Sequence, residues 1–172
     1  MRPADHPEFF RFPAPEGRSR ESTIRVDRDG RFFHDGELVE HRGLARALAS
    51  WVARHPDDGR YILTNGYDWT YFTVEDTPCF VHAVHVRPAG GSERRAVLEL
   101  TDGSEEPLVP ADTRMATDGS VTTLVKRAAP GGAFRARFQR PALVDLAELL
   151  EEAPSGHFRL QRALGGDEIP TG

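Results

Sequence analysis

The segment HRGLARALASWVARHP, residues 41–56, carries the pattern that decides the fold. Its apolar side chains recur with the 3.6-residue period of one helix face, which predicts an amphipathic helix; they are Leu44, Ala45, Leu48, Trp51 and Val52. Pro56 disfavours helical dihedral angles at His55, and the Asp-Asp-Gly that follows supplies a turn. We therefore expect the helix to end near Arg54 and a strand to begin in RYIL, residues 60–63.

The same pattern returns 98 residues later in RPALVDLAELLEEAP, residues 140–154. Removing one loop residue also aligns Gly59, Tyr61 and Leu63 with Gly156, Phe158 and Leu160. Both helical segments follow two short β-prone runs separated by a turn, so the repeated unit reads strand, strand, helix, strand. We interpret the chain as two diverged copies of this unit. The alternative is that any amphipathic helix ending at a Pro/Gly turn resembles any other.

The repeat predicts an α+β fold with mostly antiparallel sheet. Each copy is too small for a comfortable core of its own, so we expect the two copies to pack together. The predicted organisation is an extended N-terminal arm (1–22), the first repeat with its following strands (23–86), the second repeat (87–165) and a tail (166–172).

Composition excludes several classes of partner. The 172 residues include 22 Lys and Arg against 27 Asp and Glu, a formal charge of −5, whereas binding of a nucleic-acid polymer needs a clustered positive surface. No segment has the roughly 18 consecutive apolar residues of a membrane helix, and the N-terminal residues lack the apolar run of a secretory signal. We expect a cytoplasmic protein without nucleic-acid or membrane partners. The single cysteine, Cys79, excludes an intramolecular disulfide.

Three stretches resemble the bacterial Domain of Unknown Function 1285 family: residues 24–63, VEDTP (74–78) followed by Phe80, and GAFRARFQRPALVDLAELLEE (132–152). The resemblance covers about residues 22–162. It implies a duplicated core and a C-terminal half similar to pleckstrin-homology-like folds. It also implies a ligand site between the halves, for a nucleotide-like molecule in signalling. No reaction is implied.

A group of arginines is the first candidate site. In FRARF, residues 134–138, the two-residue period of a strand places Arg135 and Arg137 on the face opposite the apolar side chains. Arg140 follows, and Pro141 suits the first position of a helix, whose free N–H groups favour anions. Arginine binds phosphate and carboxylate bidentately, so the pattern predicts an anion site. The alternative is a solvated strand face, or ion pairs with Glu148, Glu151 and Glu152.

The stretch TNGYDWT, residues 64–70, is the second candidate. Asn-Gly is a turn signal, and Tyr67 and Trp69 at its exit are suited to stacking on a base or sugar while Asp68 accepts hydrogen bonds. The alternative is a hairpin turn whose aromatic side chains pack onto a sheet.

The sequence patterns that would indicate catalysis are weaker than the two candidate binding sites. Glu75 and Asp76 are adjacent carboxylates, but adjacent strand residues point to opposite faces, which favours a turn or a cap over an acid/base pair. Cys79 and His82 are three residues apart and face opposite ways, so Cys79 is expected to be a small buried apolar residue. No phosphate-binding loop, dinucleotide fingerprint or zinc spacing occurs, and we expect neither a cofactor nor a metal.

The leading hypothesis is a soluble, non-enzymatic module that holds a small anionic, nucleotide-like ligand at the junction of its two repeats. Its predicted binding residues are Arg135, Arg137 and Arg140 for charge, and Tyr67 and Trp69 for stacking. One alternative is a hydrolase or transferase that uses Glu75, Asp76 or a histidine. Another is a protein-interaction adaptor with an exposed apolar patch. The sequence points to no particular protein partner.

Overall fold

The computed structural model describes residues 1–172 and divides them into two compact units. One unit holds residues 1–78 and 128–133, and the other holds residues 79–127 and 134–172. The predicted boundary after residue 86 would cut through the strand Cys79–Gly90, so the structural division comes earlier, after Pro78. The content is two α-helices and mostly antiparallel strands, which confirms the α+β class.

The first unit contains seven short strands and one helix: β1 (Arg25–Val26), β2 (Phe32–His34), β3 (Glu37–Leu38), α1 (Arg42–Ser50), β4 (Val52–Arg54), β5 (Tyr61–Thr64), β6 (Trp69–Tyr71) and β7 (Thr73–Val74). They form one sheet in the order β3-β2-β1-β7 and another in the order β4-β5-β6. Every pairing is antiparallel except that of β1 with β7.

Asp29-Gly30 and Asp35-Gly36 lie in the two turns that connect β1, β2 and β3. The Asp27 carboxylate accepts the backbone N–H groups of Asp29 and Arg31 at 3.0 and 2.9 Å, which closes the turn between β1 and β2. Asp35 and Gly36 have φ values of 51° and 79°, the left-handed conformation that two-residue hairpin turns require.

The predicted end of the first helix is wrong. Helix α1 stops at Ser50, and Val52–Arg54 forms strand β4 instead of a last helical turn. Trp51 caps the helix with its N–H donated to the carbonyls of Ala47 and Leu48. Val52 then lies opposite Leu63 in the antiparallel pair with β5, and both side chains are buried. Cross-strand pairing of apolar side chains therefore overrides the helical period.

The core of the first unit is formed by Val26, Phe32, Leu48, Ile62, Leu63 and Phe72, which are all buried. Leu44, which the helical period assigns to the apolar face, is 44% exposed and lies outside this core. Because α1 is only nine residues long, its buried face is centred on Leu48 and Ala49.

The second unit contains eight strands and one helix: β8 (Cys79–Gly90), β9 (Glu93–Leu100), β10 (Glu105–Pro107), β11 (Arg114–Met115), β12 (Val121–Val125), β13 (Phe134–Phe138), α2 (Arg140–Leu149), β14 (Leu150–Glu152) and β15 (Phe158–Leu160). Six strands form a sheet in the order β10-β9-β8-β13-β12-β11, and β14 pairs with β15. The pair β8–β13 is parallel and the others are antiparallel. Helix α2 packs on β8, where the Asp145 carboxylate accepts the N–H of Val84 at 2.9 Å.

The terminal segments are folded onto their units. The N-terminal arm is not extended throughout, because Pro3–Asp5 and Pro7–Arg11 form 3-10 turns. In the tail, Ile169 is buried and donates its N–H to the carbonyl of Phe158 at 2.8 Å. Neither α-helix has the length and hydropathy of a membrane-spanning segment.

Candidate functional site

A cleft of about 160 Å³ opens in the first unit beside the β5–β6 hairpin. Its lining combines apolar and aromatic side chains with three polar ones: Ile24, Leu48, Trp51, Leu63, Trp69, Asn65, Asp68 and Thr70. Both tryptophans of the chain belong to this lining. A mostly apolar concavity with a few converging polar groups is the usual composition of a small-molecule site.

The hairpin turn fixes the polar wall of the cleft. The side-chain carbonyl of Asn65 accepts the N–H groups of Tyr67 and Asp68, both at 2.9 Å. Gly66 has a φ of 92° and lies against the Arg2 side chain, so a Cβ at this position would come within 2.7 Å of Arg2 Cδ. A side chain at residue 66 would be strained by this φ value and would also require Arg2 to move.

Arg20 joins the N-terminal arm to this wall. Its Nη1 donates to the Asp68 carboxylate at 2.8 Å and to the Trp69 carbonyl at 2.9 Å, and its Nη2 donates to the Pro13 carbonyl at 3.2 Å. The guanidinium lies over the indole, 4.5 Å from the ring centroid. The side chain is only 18% exposed, so this cation–π contact is largely desolvated.

Two hydrogen-bond donors at this wall have no acceptor. The indole Nε1–H of Trp69 and the Nε–H of Arg20 are buried without a hydrogen-bond partner, although Trp69 is only 6% exposed. A buried donor without a partner costs about 1–3 kcal/mol. Such groups are rare in folded proteins, so two on adjoining side chains need an explanation.

Asp68 supplies the acceptor of the site. Its Oδ1 takes the hydrogen bonds from Arg20 and from the Trp69 backbone N–H, while Oδ2 accepts none from the protein. Partial burial acts to raise the pKa of Asp68, but these hydrogen bonds and the charges of Arg20 and Arg18 outweigh it and lower the pKa below the usual value. Asp68 is therefore an ionised carboxylate at neutral pH, with one oxygen available.

An aromatic cluster supports Trp69 from behind. The rings of Phe10, His55 and Tyr71 lie 5.0 to 6.1 Å from the indole, centroid to centroid. His55 Nδ1 accepts the N–H of Asp57 at 3.2 Å, so its Nε2–H donates to the Phe10 carbonyl at 3.1 Å. Both ring nitrogens of this buried histidine are thus occupied, which makes it a structural residue.

The two predicted stacking residues have different surroundings. Trp69 is buried and contributes to the lining of the cleft. Tyr67 is 67% exposed and lies in the hairpin turn outside the lining. The hairpin alternative correctly describes the backbone here, because Asn65 and Gly66 connect β5 to β6.

The three predicted arginines belong to the second unit. In β13 Phe134, Ala136 and Phe138 are buried while Arg135 is exposed and Arg137 half-buried, which is the predicted alternation. Arg135 donates to Thr122 Oγ1 at 3.2 Å. Arg140 begins α2 and is exposed. Neither Arg135 nor Arg140 forms an ion pair. Glu151, one of the acids considered as their partner, binds Arg159 at 2.9 Å.

Two of the residues considered for catalysis have defined surroundings. The Glu75 carboxylate accepts from Arg25 at 2.6 Å, and Cys79 is buried as predicted.

Sequence reasoning missed Trp51 and Arg20. A signal for Trp51 exists in the sequence, because it and Trp69 are the only tryptophans. Arg20 carries none, since it lies in an aperiodic segment 48 residues before its partner Asp68.

Comparison with protein-family models and with curated proteins gives no match. Two crystal structures do match. The DUF1285 family protein from Silicibacter pomeroyi DSS-3 is 18% identical with a TM-score of 0.57, over 94% of this chain and 91% of that one. The DUF1285 family protein from Shewanella baltica OS155 is 16% identical with a TM-score of 0.54, over 76% of this chain and 94% of that one. The resemblance found in the sequence is therefore confirmed in three dimensions, and this chain has the fold of the DUF1285 family proteins.

Proposed function

We propose that this protein is a non-enzymatic binding module for a small anionic, nucleotide-like ligand whose ring enters the cleft beside Trp69. The observation that carries the proposal is the pair of buried donors, Trp69 Nε1–H and Arg20 Nε–H, which have no acceptor within the chain. A ligand acceptor would remove their desolvation cost. Trp51 and Trp69 supply aromatic surface in the same cleft.

The size of the cleft limits how much of the ligand it holds. An enclosed cavity of about 150 Å³ takes up benzene, so a cleft of about 160 Å³ accommodates one ring. The sugar and the anionic group of the ligand then lie outside. Exposed arginines stand next to this opening: Arg2 packs against Gly66, and the charge of Arg18 acts on Asp68. We assign the anionic group to this rim.

Arg135, Arg137 and Arg140 remain a second predicted anion contact. Arg135 and Arg140 are exposed, and neither guanidinium group is paired with a carboxylate, which supports this part of the proposal. Titration with inorganic phosphate tests this contact, because the charge-reversal variant Arg140→Glu should bind phosphate more weakly than the unaltered chain.

We also propose that the chain consists of two diverged copies, as the repeat in the sequence predicts. Equivalent residues pair in the same register: Val52 with Leu63 and Leu150 with Leu160, and likewise Arg54 with Tyr61 and Glu152 with Phe158. The backbone bonds that close the two turns also correspond, since Gly59 N–H donates to His55 and Gly156 N–H donates to Ala153. These shared positions support the proposal that the two segments derive from one unit.

We also propose that this protein is a member of the DUF1285 family. Two further proposals go with membership: a role in cytoplasmic signalling and a pleckstrin-homology-like C-terminal half. The support is the fold shared with two proteins of that family and the antiparallel sheet followed by α2 in the second unit. The catalytic alternative has less support, because the Glu75 carboxylate is already bound by Arg25. The adaptor alternative predicts binding of a protein through exposed Leu38 and Leu44, which no ligand of the cleft would block.

Thermal unfolding in the presence of nucleoside monophosphates and of inorganic phosphate tests the proposal. A ligand at 100 times its Kd adds about 2.7 kcal/mol to the free energy of unfolding, which raises the Tm by several degrees. Trp69→Phe, which keeps a ring and deletes the N–H, should reduce the ligand-induced shift, and Phe158→Ala, an exposed aromatic position in the second unit, should not. An unchanged Tm with every nucleotide would contradict the proposed function.

A further inference from the structure

The chemistry of the cleft identifies the kind of ring that it takes. Resting on the proposed function, we propose that the ring is a single-ring cyclic imide, with an N–H between two carbonyl groups, as in uracil. The inference follows from which hydrogen-bonding groups on Asn65, Asp68, Trp69 and Arg20 are left unused by the protein.

The unused groups follow one another along the hairpin turn. Asn65 uses its carbonyl oxygen for two backbone N–H groups, so its amide Nδ2 offers two free donors. Asp68 Oδ2 is a free acceptor, because both protein hydrogen bonds go to Oδ1. Trp69 Nε1–H and Arg20 Nε–H are free donors. Taken in chain order along the hairpin, with Arg20 beside Trp69, the unused groups are a donor, an acceptor and a donor.

A ring edge that satisfies this wall must read acceptor, donor, acceptor. The imide edge of uracil does so, since its central N–H lies between two carbonyl oxygens. The edge of cytosine has a ring nitrogen lone pair in the centre, which the ionised Asp68 carboxylate repels. The edge of guanine has one carbonyl followed by two donors. Purines are also larger than the single ring that about 160 Å³ accommodates.

Charge in the site favours a neutral ring. The Arg20 guanidinium is paired with Asp68 at 2.8 Å, so its charge is already compensated within the chain. The remaining donors are the neutral Trp69 indole, the neutral Asn65 amide and the Nε–H of Arg20, whose charge is balanced by Asp68. A neutral carbonyl oxygen satisfies such donors without the desolvation cost of a buried anion.

The test uses the intrinsic fluorescence of the unmodified protein, because both tryptophans line the cleft. Uridine monophosphate is titrated beside cytidine monophosphate and N3-methyluridine monophosphate. All three probes have the same ribose and phosphate. Cytidine monophosphate changes the imide edge without added bulk, and N3-methyluridine monophosphate replaces the central N–H by a methyl group. We expect uridine monophosphate to bind at least about tenfold more tightly than either of the other two, since each of them leaves Asp68 without its donor.

A variant gives a second readout on the same inference. Asp68→Asn presents an amide that can donate to a ring nitrogen, so it should narrow or reverse the preference for uridine over cytidine monophosphate. Circular dichroism checks that the variant is folded, and the methylated probe tests the inference on the unaltered chain if it is not. Equal affinity for all three pyrimidines, or tighter binding of purine nucleotides, would overturn the imide inference and leave the proposed function standing. Fluorescence unchanged by every nucleotide would overturn both.

Discussion

Arg20 and Trp69 are joined twice: the guanidinium lies 4.5 Å from the centroid of the indole, and its Nη1 donates to the Trp69 carbonyl at 2.9 Å. Trp69 belongs to the β5–β6 hairpin and Arg20 to the arm that precedes β1. The N-terminal arm is therefore part of the support of the cleft. This relationship explains why a residue outside any strand or helix bears on a binding site.

Arg20→Lys should lower stability although it preserves the charge. A lysine ammonium cannot reproduce the planar fork that contacts Asp68, the Trp69 carbonyl and the Pro13 carbonyl together. We expect a loss of about 1–3 kcal/mol in the free energy of unfolding, measured by urea denaturation. The exposed Arg18→Lys is the matched control and should change it by less than about 0.5 kcal/mol. Equal stability of the two variants would refute the role given to Arg20.

Tyr71 should make stability depend on alkaline pH. Its hydroxyl donates to Asp58 at 2.7 Å, and burial together with this carboxylate raises the pKa of Tyr71 to about 12. The unfolded chain ionises tyrosine near pH 10, so the stabilisation is complete below about pH 10 and is lost as the pH rises toward about 12. Tyr71→Phe should remove this loss between pH 10 and 12, which chemical denaturation at several pH values measures. A parallel decline in both proteins would contradict the assignment.

Asp102 should stabilise the second unit against acid. Its carboxylate is 9% exposed and accepts from Lys126 Nζ at 2.7 Å. Burial acts to raise its pKa, but the hydrogen bonds from Lys126 and Ser104 outweigh burial and lower the pKa. The stabilisation is therefore present above pH 4 and is lost as the pH falls below that value.

A closely matched turn provides the control for Asp102. Asp118 accepts the N–H and hydroxyl of Ser120 at 2.9 and 2.6 Å, the same distances that Asp102 has with Ser104, but Asp118 is exposed. Asp102→Asn should cost about 1–3 kcal/mol at pH 7 and reduce the acid sensitivity, whereas Asp118→Asn should cost less. Urea denaturation at pH 7 and pH 3 measures both, and equal effects would argue against the buried ion pair.

His55→Phe should loosen the N-terminal arm while keeping the aromatic packing. The substitution leaves the Phe10 carbonyl and the Asp57 N–H without the imidazole nitrogens that bind them. Because Asp57 is exposed, we expect the main cost, about 1–3 kcal/mol, to come from the part-buried Phe10 carbonyl. Hydrogen exchange should rise first in residues 7–12. The exposed His34→Phe should leave this exchange unchanged, and protection of the arm in both variants would count against the account.

Local sequence signals predicted most elements of the fold. Asp-Gly pairs mark the turns, and the alternation of Phe134 with Arg135 in β13 matches its buried and exposed faces. The predicted strand after each helix forms, but the short strands directly at the helix ends, β4 and β14, were missed, because Val52 fits a helical stripe as well as a strand. Only its partner Leu63, brought opposite by the hairpin, decides between them.

The sequence predicted the site residues that lie within one short motif. It did not predict those that reach the cleft from distant segments of the chain. Trp69 and Asp68 lie within the predicted turn motif. Trp51 comes from the end of α1 and Arg20 from the arm, so their contribution depends on tertiary contacts that no local pattern encodes. The missing acceptor for Trp69 Nε1–H is visible only when every neighbour is placed.

The indole N–H resonance of Trp69 tests the central claim most directly. The chain has two tryptophans, so a nitrogen-15 correlation spectrum shows two indole signals, and Trp69→Phe assigns them. On titration with uridine monophosphate we expect the Trp69 signal to move downfield and to exchange more slowly with water, as a free donor that gains an acceptor does. A nucleotide that binds while this signal keeps its position and its exchange rate would contradict the account.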